Sequence, residues 1–93
     1  MRILSAAQVA KMVNGRLHGP GNVMIRQIST DTRTLSSGSL FIAIAGDHFD
    51  GHDFLEQAFK NGAALVMVNE GKTVPEHIPA VIVPNTVEAL GKL

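Results

Sequence analysis

The sequence predicts an α/β fold: a small single domain with a mixed, partly parallel sheet flanked by short helices. Three short apolar runs carry that prediction, Leu40–Ala45, Ala64–Val68 and Ala80–Val83. Continuous apolar runs between turn signals read as strands buried on both faces. Helical spacing with cap and stop residues lies between and around them. The order strand, helix, strand from Ser39 to Val68 predicts a right-handed parallel crossover. At 93 residues the chain allows one domain, 1–93, with a modest core.

Ser5 is placed to cap a helix over Ala6–Val13, in which Ala6, Val9, Ala10 and Val13 share one face. Asn14-Gly15 stops it. Arg16–His18 reads as a short strand ended by Gly19-Pro20-Gly21-Asn22. Val23–Ser29 alternates loosely and reads as one strand. After the turn Leu35–Gly38 comes the central strand, Ser39–Ala45. Asp53 is the expected cap of a helix containing Phe54, Leu55, Ala58 and Phe59, stopped by Asn61-Gly62. Gly71–Pro79 reads as a loop. Asn85 and Glu88 resemble a capping box for a helix over Thr86–Leu93. A final helix of about two turns is marginal by itself, which suggests one domain cut from a longer protein.

Composition narrows the function. Eight basic and eight acidic residues cancel, and Trp and Tyr are absent. Without a basic tract there is little basis for nucleic-acid binding. No apolar run approaches the roughly 20 residues of a membrane span. The chain has no cysteine, which excludes disulfides and thiolate metal sites and fits a cytoplasmic protein. A small molecule or another protein domain is the expected partner.

Candidate site residues fall in two polar clusters, at strand ends where α/β folds place ligands. In the first, Ser29, Thr30 and Thr32 offer hydroxyls that both donate and accept, suited to a uracil edge, a ribose or a phosphate. The same groups also satisfy local backbone in turns. Alternation puts Thr30 and Thr32 on one face and Ser29 and Asp31 on the other. Arg33 could fork onto a diphosphate, or pair with Asp31. In the second cluster, Asp47, His48, Asp50, His52 and Asp53 are dense in potential metal ligands. Gly46 and Gly51 bracket them, which argues for a loop and against a metal site. That loop reads either as a feed into the next helix or as a flap over a ligand. In the second case Gly46 allows close approach and Phe49 stacks on a base.

No complete catalytic apparatus is visible. Asn69-Glu70-Gly71-Lys72-Thr73 ends like a phosphate loop but lacks the upstream glycine, with Val66 in its place. It also leads into Val74-Pro75 rather than a helix. No Ser–His–Asp or Cys–His arrangement is recognisable.

The string I-S-T-D-T-R…G-S-L-F-I-A-I-A-G…F-D-G-H-D-F…G-A-A-L-V-M-V resembles the N-terminal domain of the Mur ligases. These enzymes build the peptide stem of bacterial peptidoglycan, and the resemblance covers essentially the whole chain. It implies a three-domain parent. The N-terminal domain holds the UDP part of the substrate, the central domain binds ATP and Mg²⁺, and the C-terminal domain binds the incoming amino acid or dipeptide. Central and C-terminal domains are thus implied partners absent from this chain, and neither cofactor is expected here. T-D-T-R with F-D-G-H-D-F resembles most the branch that joins D-alanyl-D-alanine to UDP-N-acetylmuramoyl-tripeptide. The sister branch adding the third stem residue, diaminopimelate or lysine, and a non-catalytic module of the same fold are the alternatives. By resemblance, Thr30 and Thr32 match UDP-sugar contacts, and Asp47, His48 and Phe49 match a uridine-contacting loop. Ala45 stands where a basic residue is frequent in the family, so this loop carries less positive charge. The chain by itself is expected to hydrolyse no ATP, which a phosphate-release assay against a mock purification checks.

Overall fold

A computed structural model describes residues 3–93. After β1 (Leu4–Ser5), helix α1 runs over Ala6–Met12. Ser5 Oγ accepts from the Gln8 amide (3.1 Å) and Gln8 Oε1 accepts from the Ser5 amide (2.8 Å), so the cap is a full capping box. Asn14 stops the helix in the left-handed region, at φ 54°. Then follow β2 (Arg16–His18), β3 (Met24–Ile25), β4 (Gln27–Ser29), β5 (Ser39–Ile42), α2 (Leu55–Lys60), β6 (Ala63–Asn69), β7 (Ala80–Val83) and α3 (Thr86–Leu90).

The main sheet has the order β2-β7-β6-β5-β4. β4, β5, β6 and β7 pair in parallel, and β2 lies antiparallel on β7. A two-stranded antiparallel ribbon, β1 with β3, pairs Leu4 with Ile25. Strand alternation divides the apolar residues between two cores. Leu40, Ile42, Leu65, Met67, Val81 and Val83 face α1 and Ala89 of α3. Phe41, Val66, Val68 and Ala80 face Leu55 and Ala58 of α2. Both faces are covered, which is why β5, β6 and β7 read as near-continuous apolar runs.

Beyond shifts of a single residue at the ends of α1 and β6, four boundaries differ from the sequence reading. Val23–Ser29 is two strands, because Met24–Ile25 pairs with β1 while Gln27–Ser29 pairs with β5. Arg26 sits at the switch, its amide donating to the Gly38 carbonyl (2.8 Å). The strand expected over Ser39–Ala45 ends at Ile42. The Ala43 amide still reaches the Met67 carbonyl (3.0 Å), but the Ile44 carbonyl accepts from the Gly51 amide (2.9 Å) and the chain peels away. Asp53 is exposed and caps nothing. Asp50 instead caps a 3-10 turn, Gly51–Phe54, that leads into α2. Asn85 does cap α3, its Oδ1 accepting from the Val87 and Glu88 amides, but the helix stops at Leu90, short of Leu93.

The turn from α2 into β6 depends on Gly62, at φ +121°. A Cβ there would lie 2.9 Å from the Ser36 carbonyl carbon and oxygen. Gly62→Ala therefore combines a disfavoured backbone with a clash against main chain. It should cost about 1–3 kcal/mol, read as a lower urea midpoint at unchanged slope.

Candidate functional site

β4 and β5 run in parallel side by side, so the loops leaving their C-terminal ends are neighbours. Between those loops and α2 lies an open groove of about 620 Å³. Thr30, Asp31, Thr32 and Arg33 line one side, and Phe49, Phe54 and Gln57 the other.

On the β4 side, Ser29 organises the turn. Its Oγ accepts from the Asp31 amide (3.0 Å) and lies 2.9 Å from both the Asp31 carbonyl oxygen and Thr34 Oγ1. That hydroxyl is spent within the loop. Asp31 caps the 3-10 turn Thr32–Thr34, its Oδ1 accepting from the Arg33 amide (2.9 Å). The Arg33 guanidinium grips the same carboxylate, Nε to Oδ1 at 3.0 Å and Nη2 to Oδ2 at 2.7 Å. Hydrogen bonds from the Arg33 side chain and then its amide lower the Asp31 carboxyl to a pKa of about 2. Arg33 is 84% exposed, so this pair adds little stability. It orients the guanidinium and leaves Nη1 free of Asp31 for another acceptor.

On the β5 side, Ala45 and Asp50 form an antiparallel bridge, and the Gly46 amide closes the turn onto the Phe49 carbonyl (2.7 Å). Phe49 is 57% exposed and stacks on Phe54, with centroids 4.8 Å apart and ring planes at 12°. The loop returns at Gly51, where a Cβ would lie 2.9 Å from the Ile44 nitrogen and 3.1 Å from Ala43 Cα.

Beneath the loop, His52 is buried and bonded through both ring nitrogens. Nε2 accepts from the Asn69 amide (3.0 Å), so Nδ1 carries the proton, directed at Asp50 Oδ1 (2.6 Å). Asp50 Oδ1 also accepts from the His52 amide (2.9 Å), and Lys72 Nζ donates to Oδ2 (3.0 Å). Asn69 Oδ1 accepts from the Thr86 amide (2.8 Å), and Thr86 Oγ1 donates to the Ala43 carbonyl (2.6 Å). One polar chain thus ties the C-terminal ends of β5, β6 and β7 together.

The groove brings together Thr30, Thr32, Arg33 and Phe49 from the sequence-derived candidates. Asp31 lines it too, against the simple alternation, because β4 has ended at Ser29 and Asp31 caps the 3-10 turn Thr32–Thr34. Ser29 lies behind the turn. Gly46, Asp47 and His48 sit exposed in the β5 loop, outside the groove lining. Sequence reasoning passed over Gln57 and the supporting role of Asp50 and His52. The signal available was Asp50-Gly51-His52, an acid two residues before a histidine across a glycine. Among the described residues no cluster of three or more His, Asp or Glu side chains is placed to hold a metal ion, and no helix is long and apolar enough to cross a membrane.

The Asp50 carboxyl is held well below its ordinary value of 3.8, first by the His52 amide, then by the His52 ring, then by Lys72. A depressed carboxyl stabilises the fold above its unfolded pKa, and that contribution is lost as the pH falls below it. Asp50→Asn should be less stable than the wild type at pH 7, with the difference narrowing below about pH 4, measured by urea unfolding across the pH range.

A family model described as "Mur ligase family, catalytic domain" matches residues 24–93. The chain is 42% identical over 91 residues to the UDP-N-acetylmuramoyl-tripeptide–D-alanyl-D-alanine ligase of Haemophilus influenzae, covering 97% of this chain and 20% of that protein. It is 40% identical over 88 residues to the ligase of the same name from Bacillus subtilis, covering 91% and 19%. A crystal structure of MurF from Acinetobacter baumannii superposes with a TM-score of 0.86 at 33% identity, covering 100% of this chain and 20% of that one. The chain therefore spans about a fifth of the length of the relatives it matches. A family match over most of the sequence, identities of 40% and 42% to ligases of one name and a structural superposition covering this whole chain together make it a member of the Mur ligase family.

Proposed function

We propose that this chain anchors the uridine diphosphate end of UDP-N-acetylmuramoyl-tripeptide for a parent ligase that joins it to D-alanyl-D-alanine. The groove between the β4 and β5 loops carries this reading. It sets hydroxyls, an oriented guanidinium and a stacked aromatic pair, with Phe49 exposed, around one space at the ends of parallel strands. In this reading Phe49 stacks on the uracil, and the Thr30 and Thr32 hydroxyls serve its polar edge or the ribose. Arg33 offers Nη1 to a phosphate oxygen. Gly46, Asp47 and His48 close over the uridine from the β5 loop. Ser29 supports the turn from behind.

The contribution to the parent reaction is positional. Binding energy collected at the nucleotide orients the distant peptide carboxyl where the amide bond forms. The parent's ATP and Mg²⁺ do not fit the residues present here. The turn at Gly71-Lys72 points Lys72 Nζ at Asp50, and Gly71 has φ +86° with no helix following. No step of the chemistry runs through this chain.

Thr30→Val with Thr32→Val should weaken UDP binding, each lost hydrogen bond costing about 0.5–1.5 kcal/mol, and leave the amide NMR spectrum dispersed. Phe49→Ala should cost about 1–3 kcal/mol of affinity. An NMR titration with UDP reads both. Shifts at Thr30–Arg33 and Gly46–Phe49 support the reading, and unchanged affinity in the folded variants rejects these roles.

A further inference from the structure

We propose that His52 is the positioning residue of the groove, holding the aromatic wall that Phe49 and Phe54 form. The ligand that wall receives rests on the uridine reading above; the strap itself does not.

Both wall residues hang on the same short segment. Phe49 precedes His52 by three positions and Phe54 follows it by two. The segment has few holds of its own. Its loop backbone bonds are those of Gly46 to Phe49, Gly51 to Ile44 and Asp53 to Asp50, and both aromatic rings meet each other rather than packing in either core. Besides Lys72 Nζ, which donates to Asp50 Oδ2 (3.0 Å) from the turn after β6, what attaches this segment to the sheet is the buried imidazole. Its ring reaches across to the Asn69 amide at the end of β6 while gripping the Asp50 carboxylate beside Phe49. Asn69 is fixed in turn, its side chain accepting from the Thr86 amide, and Thr86 bonds back to Ala43 at the root of the same loop. The β5 loop is thus closed at its base by Thr86 and at its far end by His52.

The ring works here as a two-ended spacer. A donor must meet Asp50 and an acceptor must meet the Asn69 amide, and one neutral imidazole supplies both. Ala supplies neither. Gln carries an amide near the Nε2 position and can keep the Asn69 bond while giving up the Asp50 bond.

Amide hydrogen exchange on the wild-type chain, His52→Ala and His52→Gln tests this, alongside UDP affinity by NMR. In His52→Ala the Gly46 and Gly51 amides should exchange at least tenfold faster, while the Val66 amide in the sheet stays within twofold of wild type. His52→Gln should recover part of that protection. UDP affinity should fall in the same order as loop protection. Wild-type exchange at Gly46 and Gly51 in His52→Ala overturns the proposal. So does acceleration of Val66 by the same factor, since His52 would then support the fold generally. If His52→Ala does not fold, His52→Gln decides, with threefold faster exchange at Gly46 and Gly51 expected and wild-type exchange overturning the proposal. A wild-type chain that binds no UDP, with the exchange contrast intact, removes the uridine reading and leaves the strap standing.

Discussion

The His52 ring, protonated at Nδ1 toward Asp50 and accepting at Nε2 from the Asn69 amide, sits where three parallel strands stop. Strand ends in a parallel sheet are awkward places. The backbone groups there lose their ladder partners, and buried ones must be satisfied some other way. At this end of the sheet side chains do it. His52 takes the Asn69 amide, Asn69 takes the Thr86 amide, and Thr86 serves the Ala43 carbonyl. With those groups satisfied, β5 can end early at Ile42 and release a loop that projects aromatic surface into solvent.

The groove follows from this arrangement. Its β5 side needs a loop that turns back tightly, and the close passage of Gly51 over Ala43 and Ile44 permits it. Its β4 side is built differently, from a local turn in which Ser29 and Asp31 satisfy their own backbone. One wall is held by long-range bonds and the other by short-range ones. The exposed Asp31–Arg33 pair adds little to stability but fixes where the guanidinium points.

Much of the scaffold was legible from residues alone. The apolar runs marked β5, β6 and β7 because both faces of those strands are covered, so hydrophobicity is continuous along them. Ser5 and Asn85 announced helices because capping is a short-range interaction written in adjacent positions. The boundaries that failed were set at longer range. Val23–Ser29 splits because two different partners compete for it, β1 and β5. Asp50 displaces Asp53 as the cap because a 3-10 turn precedes α2, and its carboxylate is shared with His52 and Lys72.

By itself, then, the amino-acid sequence determined the α/β class, the parallel core and the two polar clusters at strand ends. It also carried the family's motifs, since these depend on local pattern and residue chemistry. Tertiary structure decided which cluster members share a groove. Thr30, Thr32, Arg33 and Phe49 line it, Ser29 turns behind it, and Asp47 and His48 remain outside the lining. It also decided that His52, which reads in sequence as one of a loop cluster of potential metal ligands, is buried under the loop. Its partner Asn69 lies 17 positions away, brought close only when β5 and β6 pair.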